Sequence, residues 1–300
     1  MNIGIIGQGF VGSAIREGLK NYYNVQGYDI DPDKCFNMED VGHVNDRLKT
    51  LVLENDIIFV CVPTPMRKNL SCDTRILEQA IENAYKIIKD NNPDPKHSDF
   101  LNRQQSKKVF VIKSTVPPGT TERLAVKYPR ISLCFSPEFL TEANSYDDFK
   151  NQSRIIIGGK GARVVKQMFR KVFPRIPIVI TKSSTAEMVK YFTNCFLATK
   201  VTFANQMFEI CEASGIDYDK VCEYALHDTR IGKSHLAVPG PDGDRGFGGH
   251  CFPKDLSAMI YYADEINAGS GLLQAVNFYN NEIRGNRDWE KMLGRAVADD

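Results

Sequence analysis

The 300-residue sequence has little net charge, no long apolar run and no closely spaced pair of cysteines. A net charge of +1 provides no basic surface for nucleic acid or for an anionic membrane. No apolar run reaches the roughly 20 residues that a membrane-spanning helix needs. The first residues also lack the basic flank and the small-residue cleavage site of a signal peptide. We therefore expect a cytoplasmic protein that binds neither nucleic acid nor membrane.

The eight cysteines are scattered along the chain, and no two form a Cys-x-x-Cys pair. This spacing indicates neither a zinc site nor a disulfide framework, so we predict no metal and expect most thiols to be reduced and buried. The composition, 42% hydrophobic and 25% charged, is that of an ordinary globular protein. A chain of this length can form two modest domains, each with its own core.

Short apolar runs alternate with helical patterns through the first part of the chain. The runs stand at residues 3–6, 25–28, 56–62, 109–113, 131–133, 154–157 and 176–180. Continuous apolar strands that alternate with helices are typical of a parallel sheet covered on both faces. The predicted fold class is therefore α/β, with a doubly wound parallel Rossmann sheet. The polar segment 91–107 is predicted to be a surface loop without chemistry.

The pattern changes after residue 180. Residues 185–214 have the spacing of one long helix, and helical spacing returns from 256 to about 293 with a break near 269–271. We therefore predict a sheet domain at 1–180 and an all-helical domain at 181–300. Between the helical blocks, residues 238–251 are glycine-rich and lack hydrophobic periodicity, which suggests a loop whose backbone approaches a ligand closely.

A G-x-G-x-x-G motif, formed by Gly7, Gly9 and Gly12, follows the first predicted strand. The first glycine permits a tight turn, the second lets the backbone approach a pyrophosphate, and the third lets helix and strand pack closely. Asp29, at the end of the second predicted strand, can accept hydrogen bonds from both adenine ribose hydroxyls and would repel a 2′-phosphate. The sequence therefore predicts that 1–180 binds NAD, with Asp31 as a rival to Asp29. Ordinary turn glycines with a capping acid are the alternative.

Cys251 differs from the other seven cysteines because neighbouring glycines should expose it instead of burying it. A loop that leads into a helix N-terminus, with Lys254 three residues on, favours the ionised and nucleophilic thiolate. A small buried hydrophobic residue is the alternative. His250 is adjacent in sequence, but we expect its side chain to point elsewhere and to serve the loop.

Taken in chain order, several segments resemble the UDP-glucose/GDP-mannose dehydrogenase family. They are the glycine motif, Cys-Val-Pro-Thr-Pro from residue 61, Lys-Ser-Thr-Val-Pro-Pro-Gly-Thr from 113, Ser-Pro-Glu-Phe-Leu-Thr-Glu from 136 and Gly-Phe-Gly-Gly-His-Cys-Phe-Pro-Lys-Asp from 246. The last two are highly specific. The resemblance implies a homodimer that oxidises a nucleotide sugar alcohol to the carboxylate through a covalent thiol intermediate, reducing two NAD molecules. It favours UDP-glucose as the substrate.

The resemblance also implies roles for single residues. It makes Cys251 the catalytic thiol, places Lys190, Asn194 and Asp255 around the reacting hydroxyl, and gives Glu138 a part in hydrolysis, with Thr115 beside the reacting atoms. The implied cofactor residues are Gly7, Gly9, Phe10, Val11, Gly12, Asp29, Lys34, Thr64, Thr115, Glu142 and Lys254. The implied substrate residues are Glu138, Phe139, Leu140, Lys190, Asn194, Arg230, Phe247, Gly248 and Cys251, with Arg230 donated across the dimer interface.

Other functions remain open at this point. Members of the family usually continue into a second nucleotide-binding domain, which this sequence lacks, so we expect a partner polypeptide, a weaker grip on the substrate or lost activity. The substrate alternatives are GDP-mannose and a UDP-N-acetylhexosamine. A catalytically silent NAD-binding relative has no need for the combination of Lys190, Asn194, Cys251 and Asp255. A two-electron 3-hydroxy-acid dehydrogenase has no need for the thiol.

Overall fold

The computed structural model describes residues 1–38, 44–91 and 108–299. The chain divides into two compact units, Met1–Thr64 with Thr74–Lys190, and Pro65–Asp73 with Tyr191–Asp300. The domain boundary that the sequence places after residue 180 stays a prediction. The surface loop predicted for 91–107 lies outside the described residues, apart from Asn91.

The first unit is built on a seven-stranded sheet. Its strands are β1 (Asn2–Ile6), β2 (Asn24–Tyr28), β3 (Ile57–Val60), β4 (Val109–Ile112), β5 (Ser132–Phe135), β6 (Ile155–Gly159) and β7 (Ile178–Thr181). They lie in the order β2-β1-β3-β4-β5-β6-β7. The Rossmann-like α/β class predicted from the sequence is confirmed.

One strand pair departs from the predicted parallel sheet. All neighbouring strands are parallel except β5 and β6, which pair antiparallel through Cys134 with Gly159 and Phe135 with Gly158. The chain between these two strands does not cross the sheet before it re-enters, as a parallel connection must. Both ends of residues 136–154 therefore lie at the carboxyl edge of the five parallel strands, where open α/β sheets bind ligands, while Phe149 within the segment packs against Gly18 of the first helix.

Helices cover both faces of this sheet. They are α1 (Phe10–Leu19), α2 (Val44–Glu54), α3 (Arg75–Asn91), α4 (Thr120–Lys127), α5 (Ser145–Lys150) and α6 (Ala162–Val172). Alternate residues of β3 enter different apolar clusters: Ile57 and Phe59 pack on the side of α1 and α6, and Ile58 and Val60 on the side of α2, α3 and α4. Burial on both faces explains why the strands read as continuous apolar runs.

The helical part of the chain begins with the 32-residue α7 (Ser183–Ser214). It is followed by α8 (Tyr218–Ala225), α9 (Phe252–Glu265) and α10 (Gly271–Ile283). The break predicted near 269–271 is confirmed by the gap between α9 and α10. The segment Pro65–Asp73 joins the second unit by hydrogen bonds from Met66 N–H to the Ala296 carbonyl and from Ala298 N–H to the Met66 carbonyl, both 2.7 Å. Among the described residues, no helix is both long and apolar enough to cross a membrane.

Candidate active site

The glycine loop has the geometry of a phosphate cradle. Gly7 has a φ of +91°, and a Cβ there would lie 2.6 Å from the Cys61 carbonyl oxygen. A Cβ on Gly12 would overlap the Gly7 carbonyl oxygen, whereas one on Gly9 would meet no described atom within 4 Å. Gly9 is the N-cap of α1, whose first turn carries no acidic side chain. The exposed backbone N–H groups of this helix end therefore face a space that an anion can enter.

Asp29 is fixed beside this loop. It follows β2 directly, and its carboxylate accepts the Gln8 N–H at 2.7 Å and the Asp31 N–H at 3.0 Å. Asp31 instead accepts the Asp33 N–H at 3.2 Å and pairs with Lys34 at 3.0 Å. Lys34 therefore pairs with Asp31, and its role beside the adenosine stays a prediction. The geometry favours Asp29 over Asp31 as the ribose acceptor.

The ends of β3 and β4 are tied together by two threonines. The buried Thr64 hydroxyl donates a 2.8 Å hydrogen bond to the carbonyl of Thr115, which is also buried. Both residues follow strand ends at the carboxyl edge of the sheet, together with the glycine loop. Phe10 and Val11 belong to the first turn of α1 and are half-buried.

Glu138 and Lys190 form a buried ion pair in the first unit. Their side chains are 8% and 5% exposed, and Lys190 Nζ lies 3.1 Å from Glu138 Oε1. Lys190 Nζ also donates to the Glu138 carbonyl at 2.9 Å, while Glu138 Oε2 accepts the Leu140 N–H at 2.8 Å. The backbone carbonyl and the carboxylate of Glu138 therefore both bind one ammonium group, which holds the carboxylate in a single orientation.

Lys113 adds a second cation that the sequence reasoning did not assign to the site. It is buried at the end of β4, and its Nζ donates to the Pro137 carbonyl at 3.1 Å. Burial lowers the pKa of Lys113 from 10.5 to about 8, against an opposing effect of the Glu138 carboxylate. The sequence feature that could have indicated Lys113 is a lysine directly after a fully apolar strand. Many strands end in a charged residue, so this feature does not distinguish a site residue from an ordinary strand end.

The second unit brings together Asn194, Lys254 and Asp255. Asp255 is 1% exposed, and its two carboxylate oxygens accept hydrogen bonds from Asn194 Nδ2 at 2.6 Å and Lys254 Nζ at 2.5 Å. Burial by itself would lower the pKa of Lys254, but the negative charges of Asp255 first and Cys251 second raise it above its ordinary value. Lys254 is therefore held as a cation beside the thiol.

Cys251 is the half-buried N-cap of α9, and Pro253 lies in the first turn of that helix. The expectation that His250 points away from the thiol is wrong, because His250 Nε2 lies 3.4 Å from Cys251 Sγ. The turn that joins the two residues folds the imidazole back over the sulfur. A helix N-terminus and a neighbouring cation both favour a thiolate, so the sulfur occupies the environment of a nucleophile.

The glycine loop before Cys251 is held by Arg284, a positioning residue that the sequence reasoning missed. Its buried guanidinium contacts Asp242 at 2.6 Å and Asp288 at 3.6 Å, and Asp288 accepts the Gly249 N–H at 3.1 Å. A side chain at Gly248 would collide with the Arg284 and Asp288 side chains. Arg284 lies 33 residues after the cysteine within an ordinary helical pattern, so no local feature of the sequence indicates its role.

Other predicted substrate and cofactor residues differ in their burial and in their contacts. Phe139 stacks under Arg154, whose guanidinium carbon lies 4.2 Å from the ring centre. Phe247 is buried in the core of the second unit, edge-on to Phe252, so its side chain packs inward. Glu142 is exposed. Arg230 is exposed as well, and it pairs with Asp228 at 2.5 Å.

Comparison with protein families gives two matches that together cover most of the chain. The NAD binding domain of the UDP-glucose/GDP-mannose dehydrogenase family matches residues 37–176. The central domain of the same family matches residues 184–282.

Single relatives agree with these matches. The chain is 33% identical to UDP-glucose 6-dehydrogenase YwqF of Bacillus subtilis, over 94% of this chain and 66% of that protein. It is 30% identical to UDP-glucose 6-dehydrogenase AglM of Haloferax volcanii, over 92% and 68%. A solved UDP-glucose dehydrogenase from Pyrobaculum islandicum superposes with a TM-score of 0.77 at 27% identity, covering 94% of this chain and 68% of that one. The chain spans about half to two thirds of the length of such curated relatives.

Proposed function

We propose, because the chain belongs to the UDP-glucose/GDP-mannose dehydrogenase family, that it uses NAD to oxidise the C6 alcohol of a nucleotide sugar to the carboxylate. UDP-glucose is the substrate that the relatives' names favour. The observation that carries the proposal is Cys251 at the N-terminus of α9, with Lys254, whose pKa is raised chiefly by Asp255 against the effect of burial, three residues on. A simple two-electron alcohol dehydrogenase has no need for a thiol in such an environment.

The chain's own residues fit NAD. Gly9 leaves open space before the α1 N-terminus for a pyrophosphate, and the Asp29 carboxylate is held where two ribose hydroxyls can donate to it. One bound NAD would accept the hydride of the first oxidation, and a second NAD, bound after the first NADH leaves, would accept that of the second.

The first oxidation needs a base and a stabilised alkoxide. Asp255 is the acceptor at the centre of its cluster, and we propose that it holds the water that takes the hydroxyl proton. Asn194 orients the carboxylate through its 2.6 Å hydrogen bond. The ammonium of Lys190 stabilises the developing negative charge on the substrate oxygen.

The second oxidation uses the thiol. The Cys251 thiolate adds to the aldehyde carbon, forming a C–S bond and a thiohemiacetal whose loss of hydride leaves a thioester. Water then attacks the thioester carbon, the C–S bond breaks, and the Glu138 carboxylate takes the proton of the water. Covalent attachment explains how an aldehyde is carried to the second oxidation without being released. We propose that the Glu138 and Asp255 clusters serve this one reaction.

We also propose that two copies of the chain associate through α7. Four large apolar residues of this helix are at least half exposed, namely Phe192, Phe196, Phe203 and Ile210. Their spacing of four, seven and seven residues places them along one face of the helix. An exposed apolar stripe of this length is typical of an interface between protein chains. The exposed Arg230 is available to a second copy, as the family resemblance implies.

The experiment that tests the proposed activity counts NADH per UDP-glucose consumed. The expected ratio is two, and Cys251→Ser should abolish the second oxidation. Cys222→Ser is the matched control, because Cys222 is also half-buried in the second unit but lies on α8. A ratio of two that survives Cys251→Ser would contradict the thiol mechanism. NADH formed from GDP-mannose or a UDP-N-acetylhexosamine instead would correct the substrate.

A further inference from the structure

A polar cavity of about 290 Å³ lies in the first unit behind the Glu138 segment. Ile15 and Phe169 form part of its apolar wall. Its polar wall includes Lys113, Ser136, Glu138 and Asn151. The volume exceeds by many fold the roughly 10–15 Å³ that a single water molecule requires. Glu138, Phe139 and Leu140, which the family resemblance assigns to the substrate, also line the cavity, whereas Lys113 and Ser136 have no role in the reaction steps proposed above.

Two buried polar groups on the cavity wall have hydrogen-bonding capacity left over. Ser136 is 1% exposed, and its hydroxyl has no hydrogen-bond partner among the described residues. Lys113 carries three N–H donors, of which one reaches the Pro137 carbonyl. Buried polar atoms are almost always satisfied, by protein or by water, because an unmade hydrogen bond leaves the loss of hydration of the polar group uncompensated. A hydroxyl and an ammonium on the same cavity wall are partners suited to ordered water.

The same wall contains Glu138, the carboxylate proposed as the base for the hydrolytic water. Glu138 Oε1 is bound by Lys190 and Oε2 by the Leu140 N–H. Each carboxylate oxygen accepts two hydrogen bonds, so both retain a free lone pair. Asn151 and Ser153 line the cavity and are exposed, which gives the cavity a connection to solvent.

We propose that this cavity holds a chain of ordered water that supplies the hydrolytic water to Glu138, and that Lys113 and Ser136 are the residues that position it. The inference rests on the proposed function. In the hydrolysis, a water oxygen bonds to the thioester carbon, the C–S bond breaks, and sulfur leaves as the thiolate. Glu138 takes the released proton and passes it along the water chain to solvent. The two hydride transfers consume no water, so damage to the chain should affect hydrolysis alone.

The test uses the full chain with Lys113→Met and, separately, Ser136→Ala. In rapid mixing with NAD and UDP-glucose, each variant should form two NADH per active site in a burst. The steady state that follows should be about 10-fold or more slower than for the unmodified chain, in the range that a lost proton-transfer aid produces. Intact-protein mass spectrometry should then find the acyl group on Cys251. Ser132→Ala, at the start of β5 and outside the cavity lining, is the matched control for Ser136→Ala and should turn over normally.

Several results would overturn the proposal. A variant that folds normally by circular dichroism but loses the burst acts on hydride transfer or binding, not on hydrolysis. An unchanged steady-state rate in both variants would show that the cavity supplies nothing. A second measurement needs no activity: a high-resolution crystal structure should show waters bonded to Ser136 Oγ and Lys113 Nζ, and a dry cavity refutes the proposal. No NADH from the unmodified chain would instead contradict the proposed function, and with it the hydrolytic role.

Discussion

Replacing Asp255 by asparagine tests how much the buried cluster of the second unit contributes to stability. The substitution keeps the shape of the side chain but leaves the Lys254 ammonium, 11% exposed, without its counter-charge. Breaking a buried pair by removing one partner costs about 3–5 kcal/mol, because a desolvated charge remains. With a urea m-value of about 2 kcal/mol/M, the unfolding midpoint should fall by about 2 M.

The sequence provides the probe for this measurement. Trp289 is the single tryptophan of the chain and is 5% exposed within the second unit, so its emission follows the unfolding of that unit. The pair Arg230–Asp228 serves as the control, because its N–O distance is also 2.5 Å but its side chains are 88% and 35% exposed. Asp228→Asn should change stability by about 0–1 kcal/mol. Equal midpoint shifts for the two variants would refute the argument from burial.

The difference in unfolding free energy between the unmodified chain and Asp255→Asn should depend on pH with a definite sign. The pKa of Lys254 is raised above its ordinary 10.5 in the folded chain, chiefly by Asp255 acting against burial. A lysine whose pKa is raised on folding stabilises the fold fully at pH values below its pKa in the unfolded chain. This stabilisation is lost as the pH rises through its pKa in the folded chain. Asp255→Asn removes the largest effect that raises the pKa of Lys254 and leaves burial, which lowers it, so this variant should gain stability as the pH rises towards 10.5 while the unmodified chain does not. The gap in stability between the two should therefore narrow at alkaline pH, and a gap that widens there would contradict the assignment.

Four further perturbations test other parts of the molecule. Gly12→Ala places a Cβ against the Gly7 carbonyl and should destabilise the first unit. Gly9→Ala meets open space and should fold normally yet bind NAD weakly, as titration calorimetry would measure; unchanged affinity would contradict the phosphate cradle. The lowered pKa of Lys113 implies that folding stability rises with pH between about 8 and 10.5, by up to roughly 3 kcal/mol, and Lys113→Met should remove this slope from the denaturation midpoints. Phe203→Glu puts a charge on the exposed stripe of α7 and should yield monomers by light scattering, whereas a persisting dimer would place the interface elsewhere.

Much of the first unit was predictable because its signals are local. A glycine motif between an apolar run and a helical pattern permits few structures, and Gly7 and Gly12 have the close contacts that exclude any side chain. Asp29 was favoured over Asp31 from the expected strand end alone, and β2 does end at Tyr28. The direction of β6 was not predictable, because an apolar run has the same pattern in a parallel and an antiparallel strand.

The parts that the sequence missed depend on contacts between distant residues. Lys113 is linked to the Glu138 segment by its hydrogen bond to the carbonyl of Pro137, 24 residues away. Arg284 acts through Asp242 and Asp288, which only the folded loop brings to it. His250 was misjudged because the direction of a side chain in a glycine-rich turn depends on backbone angles that composition does not specify.

The reversal between β5 and β6 also affects which changes of length the chain between them can accommodate. Both ends of segment 136–154 are anchored at the same edge of the sheet, where Phe135 pairs with Gly158. The entropic cost of closing a loop grows only with the logarithm of its length, each doubling adding about 0.6 kcal/mol. Residues added at Ala143, before the helix Ser145–Lys150, therefore leave the strand register and the ion pair of Glu138 in place. The loop between Glu138 and that helix can change its length while the carboxylate stays where the sheet places it.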